Sequence, residues 1–311
     1  MITERTSVFQ GLRLIGIVTI VAGHAGISLV GGGNWCTFFF LLSGFLYKDV
    51  IHDADEYGSY IWRKVCRLYP IYWFCLALYL LLALVRGCEE QYTIHWDFLP
   101  HFLLIQTWLP EVDAMGYLGP AWFLSALLFC YLLAPLIKAL VDKSKYVVLF
   151  FLAGMTTFYL LDTERYLSPI YRLFEYAVGL WMYRWLCQDT LQRKELFPGC
   201  MILLLLCFLS VLHFGVPEWV NVPLFSVAIY AVYLYKSDSM QSLLGNRFLI
   251  WLSKSDIFIY LTHAGIGFHL VYYFLTTNAI VATVGGVVVG VIIREIYLKG
   301  HQGLAQIIES K

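Results

Sequence analysis

Long apolar runs broken by short polar stretches recur from one end of the chain to the other. A helix that crosses the hydrocarbon core needs about 20 mostly apolar residues. On that length the runs predict spans near 12–30, 36–50, 68–86, 118–138, 146–161, 168–185, 197–214, 219–235, 256–275 and 279–297. Ten such spans fill the chain, so the expected fold is an all-α polytopic transmembrane bundle, with a single membrane-embedded domain over residues 1–311.

The charges order these spans. Lys and Arg concentrate in short cytoplasmic loops. With the amino terminus inside, the inner connections carry Lys48, Arg63, Lys64 and Arg67, then Lys138, Lys143 and Lys145, then Arg184, Arg193 and Lys194, then Lys236, Arg247 and Lys254, and last Arg294 and Lys299. The outer connections are acidic, with Glu89, Glu90, Asp97, Glu111, Asp113, Asp162, Glu164 and Glu218 against only Arg86 and Arg165. The alternation places both termini in the cytoplasm. It also requires that Phe98 to Leu109, bounded by Pro100 and Pro110, does not cross but dips in from the outer face or lies along it. The first run follows Arg5 and Arg13 in the manner of a signal peptide, yet it contains His24 and has no small-x-small cleavage site, so a retained first helix is expected.

Composition agrees: 60% of the residues are hydrophobic and 14% charged, and the net charge is zero, which gives no reason to propose a nucleic-acid partner. The eight cysteines form no C-x-x-C pair. Cys36 and Cys88 both fall on the outer side and could form one disulfide; the other cysteines read mostly as small packing residues. The Gly285-Gly286-x-x-x-Gly290 pattern reads as a close helix-packing face.

An ionisable side chain inside a span costs several kcal/mol on insertion scales of roughly 2.5–3.5 kcal/mol per residue, so each needs a reason to be there. Arg13 and His24 are eleven positions apart, close to three turns, and so share a face of the first helix roughly 16 Å apart. This puts Arg13 at the cytoplasmic mouth, where a cation suits an anionic donor, and His24 near the bilayer midplane, where a neutral imidazole suits a general base. The plain alternative is a buried histidine bonded to a neighbouring helix. Arg63 and Arg67, ahead of Pro70, also share a face and could hold phosphates through bidentate bonds, or serve as ordinary inner anchors. Ser43 lies where hydrocarbon is expected, as do three i,i+3 pairs: Trp122 with Ser125, Arg172 with Glu175, and Tyr260 with His263. Arg172 and Glu175 could simply neutralise one another. His263 reads equally as a ligand contact or a hydrogen-bond strut.

Taken in order, Arg13-x10-His24, the Phe-Phe-x-Leu-Ser-Gly-Phe run ending at Phe45, Arg63-x3-Arg67-x2-Pro70, Trp122-Phe123-Leu124-Ser125, Arg172-x2-Glu175-x3-Gly179 and Tyr260-Leu261-x-His263 resemble the integral-membrane acyltransferase-3 family. The Gly-Pro-Ala-Trp-Phe-Leu-Ser-Ala-Leu-Leu stretch is most similar to its sugar O-acetylase branch. The resemblance implies a ten-helix enzyme of the bacterial inner membrane. It would take an acetyl group from cytoplasmic acetyl-CoA, without a metal, to a hydroxyl of a saccharide or glycolipid acceptor. Arg13 and His24 would be the functional pair, His24 the general base, and Arg13, Arg63 and Arg67 the donor-binding cations. Ser43, Trp122, Ser125, Arg172, Glu175, Tyr260 and His263 would line the substrate or oxyanion pocket, Ser43 or Tyr260 donating to the oxyanion. Membrane lipid is a further expected partner, and a homo-oligomer is compatible. The chain departs from the family in carrying Leu127 and Leu128 where many members have a Glu, and Ser253-x-Ser255-Asp256 ahead of the last histidine. The rival function is a transporter or proton-coupled carrier using the same Arg, His and Glu side chains; a third is a non-catalytic sensor.

Overall fold

The computed structural model describes residues 2–27, 34–47, 54–88, 93–161, 163–187, 220–234, 238–275 and 277–309; the expected span at 197–214 lies outside them. Among the described residues all regular structure is helical. In chain order the helices are α1 (Ile2–His24), α2 (Trp35–Phe45), α3 (Ala54–Val85), the short α4 (Phe98–Phe102), α5 (Trp122–Lys143), α6 (Val147–Leu160) and α7 (Pro169–Met182). After them come α8 (Asn221–Leu234), α9 (Asp238–Leu244), α10 (Arg247–Ser253), α11 (Asp256–Thr262), α12 (Phe268–Phe274) and α13 (Ala279–Glu309). Four stretches are long and apolar enough to cross a membrane: Ser7–His24, Glu56–Val85, Gly119–Lys143 and Ala279–Gln302. The chain is an integral membrane protein.

Helix ends differ from the apolar runs for local reasons. The first run suggests 12–30, but α1 spans Ile2–His24. Gly26 stops it: its φ of +94° is the left-handed conformation that glycine adopts without strain. The amide of Ile27 reaches back to the carbonyl of Ala22 at 2.9 Å and that of Gly26 to Gly23 at 3.1 Å, the paired bonds of a Schellman cap. Gly87, at φ +69°, ends α3 in the same way, with Cys88 bonded to Ala83 and Gly87 to Leu84, both at 3.0 Å. At its other end α3 begins fourteen residues before the expected 68, so Arg63 and Arg67 are helical and Pro70 lies in mid-helix rather than in the first turn.

Glycines set the closest approaches. A Cβ on Gly44 of α2 would overlap the carbonyl oxygen of Tyr176 in α7, and one on Gly179 of α7 would overlap the carbonyl oxygen of Leu41 in α2. The two backbones therefore touch reciprocally. Such contact is how membrane helices associate where no hydrophobic force separates protein from lipid. The predicted glycine face of the last helix behaves likewise, because a Cβ on Gly290 would meet the backbone of Ile259 at 2.6 Å.

The stretch after α3 folds back between helices. Five residues of α4 rise only about 7 Å, so α4 does not cross. Its carbonyls and that of the residue after it take hydrogen bonds from α3: Tyr72 Oη to His101 O at 2.6 Å, Trp73 Nε1 to Phe102 O at 2.9 Å, and Tyr69 Oη to Leu103 O at 2.7 Å. These donors lie twelve to sixteen residues before the end of α3, roughly 18–24 Å along its axis. Irregular backbone survives at such depth only where protein groups satisfy it, and three aromatic donors do so here. Leu104 and Tyr117 hold left-handed φ values of 55° and 49°. Complete burial of Leu104 and the bonds of the Tyr117 hydroxyl to Thr93 O and Asp97 hold them there.

Candidate functional site

Chemistry gathers between α1 and α11. Arg13 Nη2 lies 3.6 Å from Asp256 Oδ2, with the carboxylate buried and the arginine side chain 40% exposed. Farther along α1, the ring of His24 packs against that of His263 with centroids 5.1 Å apart. The two helices thus run side by side in the same direction, joined by an ion pair at one end and two imidazoles at the other. Eleven residues of α1 separate the ends by about 16 Å, as the sequence spacing predicts.

The position of His24 corrects the sequence reading. It occupies the last turn of α1 instead of mid-helix, because Gly26 ends the helix early, and it is exposed rather than buried. One side of the ring packs on that of His263. His263 itself is 2% exposed and opens a π-helical turn, His263–Gly267. Such widened turns recur at functional sites. Its Nδ1 lies 2.6 Å from the carbonyl of Tyr260.

Tyr260 joins this pair to a second cluster. Its ring is 5.8 Å from that of His263 and 5.3 Å from that of Phe123, and its hydroxyl neighbours Cys36 and Tyr166. Behind it Arg172 Nη1 bonds Glu175 Oε1 at 3.0 Å and Oε2 at 2.8 Å, with both side chains almost fully buried. Thr37 donates to Glu175 at 2.7 Å and Arg172 Nε donates to Tyr166 O at 3.0 Å. The guanidinium lies over the rings of Phe40, Trp122, Tyr166 and Tyr171. Mutual neutralisation is the arrangement found: Arg172, Glu175 and Trp122 form a closed polar knot behind the imidazoles.

Four expected residues stand apart. Phe45 of α2 packs on Phe9, and Trp35 lies against Gly16, so α2 runs antiparallel to α1. Ser43 therefore falls level with the Arg13 end, roughly 15–20 Å along the axis from His24, too far to meet an oxyanion there. Ser125 is completely buried, with its hydroxyl 2.8 Å from Thr107 Oγ1 and its carbonyl bonded by Trp108 Nε1 at 3.0 Å. It anchors the folded-back segment instead of lining a pocket. Arg63 and Arg67 are exposed, and the cation of that cluster turned into the bundle is Lys64, 4.3 Å over the ring of Tyr131. Cys36 and Cys88 are free thiols, Cys36 being buried 3.7 Å from the Tyr166 hydroxyl.

Sequence reasoning missed Asp256 and Thr37. Asp256 is a lone carboxylate opening an apolar run, and that cost of insertion was the available signal. Thr37 gives none, since a threonine in an apolar helix usually bonds its own backbone. A groove of about 780 Å³ between α6, α7 and α8 is lined by Val148, Leu152, Met155, Val178, Trp181 and Val222 among others. It carries no charged side chain and is separate from the imidazoles.

A helical membrane protein with an arginine at one end of a helix pair and an exposed histidine at the other has the layout of an intramembrane enzyme. The sequence model of the acyltransferase-3 family, described as an acyltransferase domain, matches residues 8–294, and the chain belongs to that family. A stretch of 111 residues is 34% identical to acyltransferase MdmB of Streptomyces mycarofaciens and covers 34% of this chain and 28% of that protein. The chain thus aligns with under a third of the length of that relative. No solved structure matches it significantly.

Proposed function

We propose that the protein is a membrane O-acyltransferase that moves an acetyl group from acetyl-CoA to a hydroxyl of a saccharide or glycolipid, with His24 as general base. One observation carries the reading: His24 is an exposed imidazole backed by His263 and in line along α1 with Arg13. Family membership supports acyl transfer, and the resemblance to the sugar O-acetylase branch supports the acceptor class. Ten spans, cytoplasmic termini and a bacterial inner-membrane location complete the proposal, supported by the alternation of basic and acidic loops.

In this scheme Arg13 meets the phosphates of the donor. The roughly 16 Å to His24 is a gap that a thioester on a long flexible arm bridges. Arg63 and Arg67, exposed on α3, would guide the anionic donor by long-range attraction. His24 takes the proton of the acceptor hydroxyl, and the oxygen attacks the thioester carbonyl. The tetrahedral intermediate collapses, the carbon–sulfur bond breaks, and the proton on His24 passes to the departing thiolate. The products are the O-acetyl ester and free CoA. Tyr260, three residues before His263, would donate to the oxyanion, a contribution of about 3 kcal/mol.

The test is transfer of labelled acetyl from acetyl-CoA to a panel of saccharides and glycolipids by protein purified in detergent. His24→Ala should abolish turnover with folding intact, and Arg13→Ala should raise the KM for acetyl-CoA while leaving kcat within a few-fold. Full turnover in His24→Ala removes the general base. Donor-independent flux of a sugar or proton in proteoliposomes, without acetyl transfer, would instead support a carrier.

A further inference from the structure

We infer that His263 is a positioning residue for His24: it holds the proton of the catalytic imidazole on one nitrogen and leaves the other free to act as base. The inference rests on the general-base reading of His24 and adds the group that makes it a base.

The argument starts at the Tyr260 carbonyl. A carbonyl oxygen only accepts, so the nitrogen 2.6 Å from it, His263 Nδ1, carries the hydrogen. In a neutral imidazole with Nδ1 protonated, Nε2 has a lone pair and no hydrogen. His263 Nε2 is buried and has no hydrogen-bond partner among the described residues. An unmet acceptor in a nearly dry interior costs about 1–3 kcal/mol, so such atoms invite an explanation. The neighbouring group able to supply a hydrogen is His24, whose ring centroid is 5.1 Å away with the planes tilted by 50°. A small rotation of the exposed His24 ring, at the end of α1, aims an N–H at that lone pair. Such an N–H fixes the His24 tautomer and turns the remaining lone pair away from His263, toward the accessible side.

The surroundings keep His263 in this role. Its backbone begins the π-helical turn His263–Gly267, and Phe268 packs edge-on against the ring with centroids 5.8 Å apart. A Cβ on Gly267 would come 3.2 Å from the Cα of Gly286, so α13 closes the turn from behind. The ring is thus held by packing on one side and by the Tyr260 carbonyl at Nδ1, and only the edge facing His24 is uncommitted. The chain of support runs from a backbone carbonyl through His263 to His24, so no carboxylate is needed to orient the base. That fits a chain with leucines at 127 and 128.

The experiment compares His263→Gln, whose amide oxygen can reach the place of Nε2, with His263→Leu, which fills the space and accepts nothing. In acetyl transfer, His263→Leu should lower kcat by about 10–100-fold, the loss typical when a partner that orients a metal-bound histidine is removed. The KM for acetyl-CoA should stay within two-fold of wild type, and His263→Gln should recover most of the lost kcat. Nitrogen NMR of protein labelled in histidine, with His24 assigned through His24→Ala, should show one tautomer in wild type and His263→Gln and a mixture in His263→Leu. Equal kcat and a single His24 tautomer in all three would overturn the positioning role. If His24→Ala itself retains turnover, the general-base reading falls instead, and the two failures are distinguished in one series.

Discussion

Replacing Glu175 by Gln separates a structural role for the buried Arg172–Glu175 pair from a chemical one. The substitution keeps shape and volume but leaves the guanidinium, in a residue 3% exposed, without a countercharge. Removing one partner of a buried pair costs about 3–5 kcal/mol, because the other charge stays desolvated. Thr37→Val deletes only the hydroxyl between the two partners, where it donates to Glu175 at 2.7 Å and accepts from Arg172 at 3.3 Å. Hydrogen bonds between membrane helices average about 0.6 kcal/mol with a ceiling near 1.7, so Thr37→Val should cost about 1 kcal/mol. The double replacement Arg172→Met with Glu175→Leu removes both charges and should be less damaging than Glu175→Gln alone. The assay is denaturant unfolding in mixed micelles, alongside acetyl transfer per folded molecule. The expected order of stability is wild type, Thr37→Val, the double variant, Glu175→Gln, with per-molecule turnover of Thr37→Val near wild type. A Glu175→Gln protein as stable as wild type but inactive would refute the reasoning and move Glu175 into the chemistry.

Other outcomes follow from the same geometry. Gly179→Ala pushes a methyl into the carbonyl of Leu41, and at that backbone contact overpacking should cost about 1–3 kcal/mol or more, read as lower thermal stability. Asp256→Asn frees Arg13 from its buried carboxylate; with the arginine 40% exposed and the charges 3.6 Å apart the pair is worth about 1 kcal/mol, so acetyl-CoA should bind up to about five-fold tighter by thermal-shift titration, and weaker binding would contradict the donor role of Arg13. Tyr72→Phe removes the donor to the His101 carbonyl and should cost about 1 kcal/mol of stability, with hydrogen exchange of residues 98–104 accelerated first.

Much of the fold is legible in the sequence because lipid imposes length and polarity. The apolar runs mark the helices, and the proline-bounded stretch from 98 to 109 is visibly too short to cross. What hydropathy misses is where a helix stops. Both Gly26 and Gly87 end their helices through left-handed caps, whereas the hydropathy of Ile27, Leu29 and Val30 continues past the first of them. The six-residue difference at Val30 moved His24 from the imagined middle of a span to the accessible end of a helix. A glycine two residues beyond a histidine was the available sign, and reading caps before spans recovers it.

The site divides along the same line. Spacing alone correctly put Arg13 and His24 on one face and paired Arg172 with Glu175, because i,i+3 and i,i+11 relations are properties of a single helix. It could not tell which polar residues of different helices share a level. Ser43 and Ser125 look like candidates by type, yet one lies level with the Arg13 end of α1 and the other is consumed in tying down Thr107 and Trp108. Levels are set by helix direction and register, which here depend on glycine contacts such as Gly44 with Tyr176 and Gly290 with Ile259. With α11 beside α1 in this register, Asp256 faces Arg13 while His263 faces His24. A carboxylate placed one level higher would have met His24 and raised its affinity for a proton. Meeting Arg13 instead, it leaves the histidine backed by a neutral ring, the state in which an imidazole serves as an acceptor of protons rather than a standing cation.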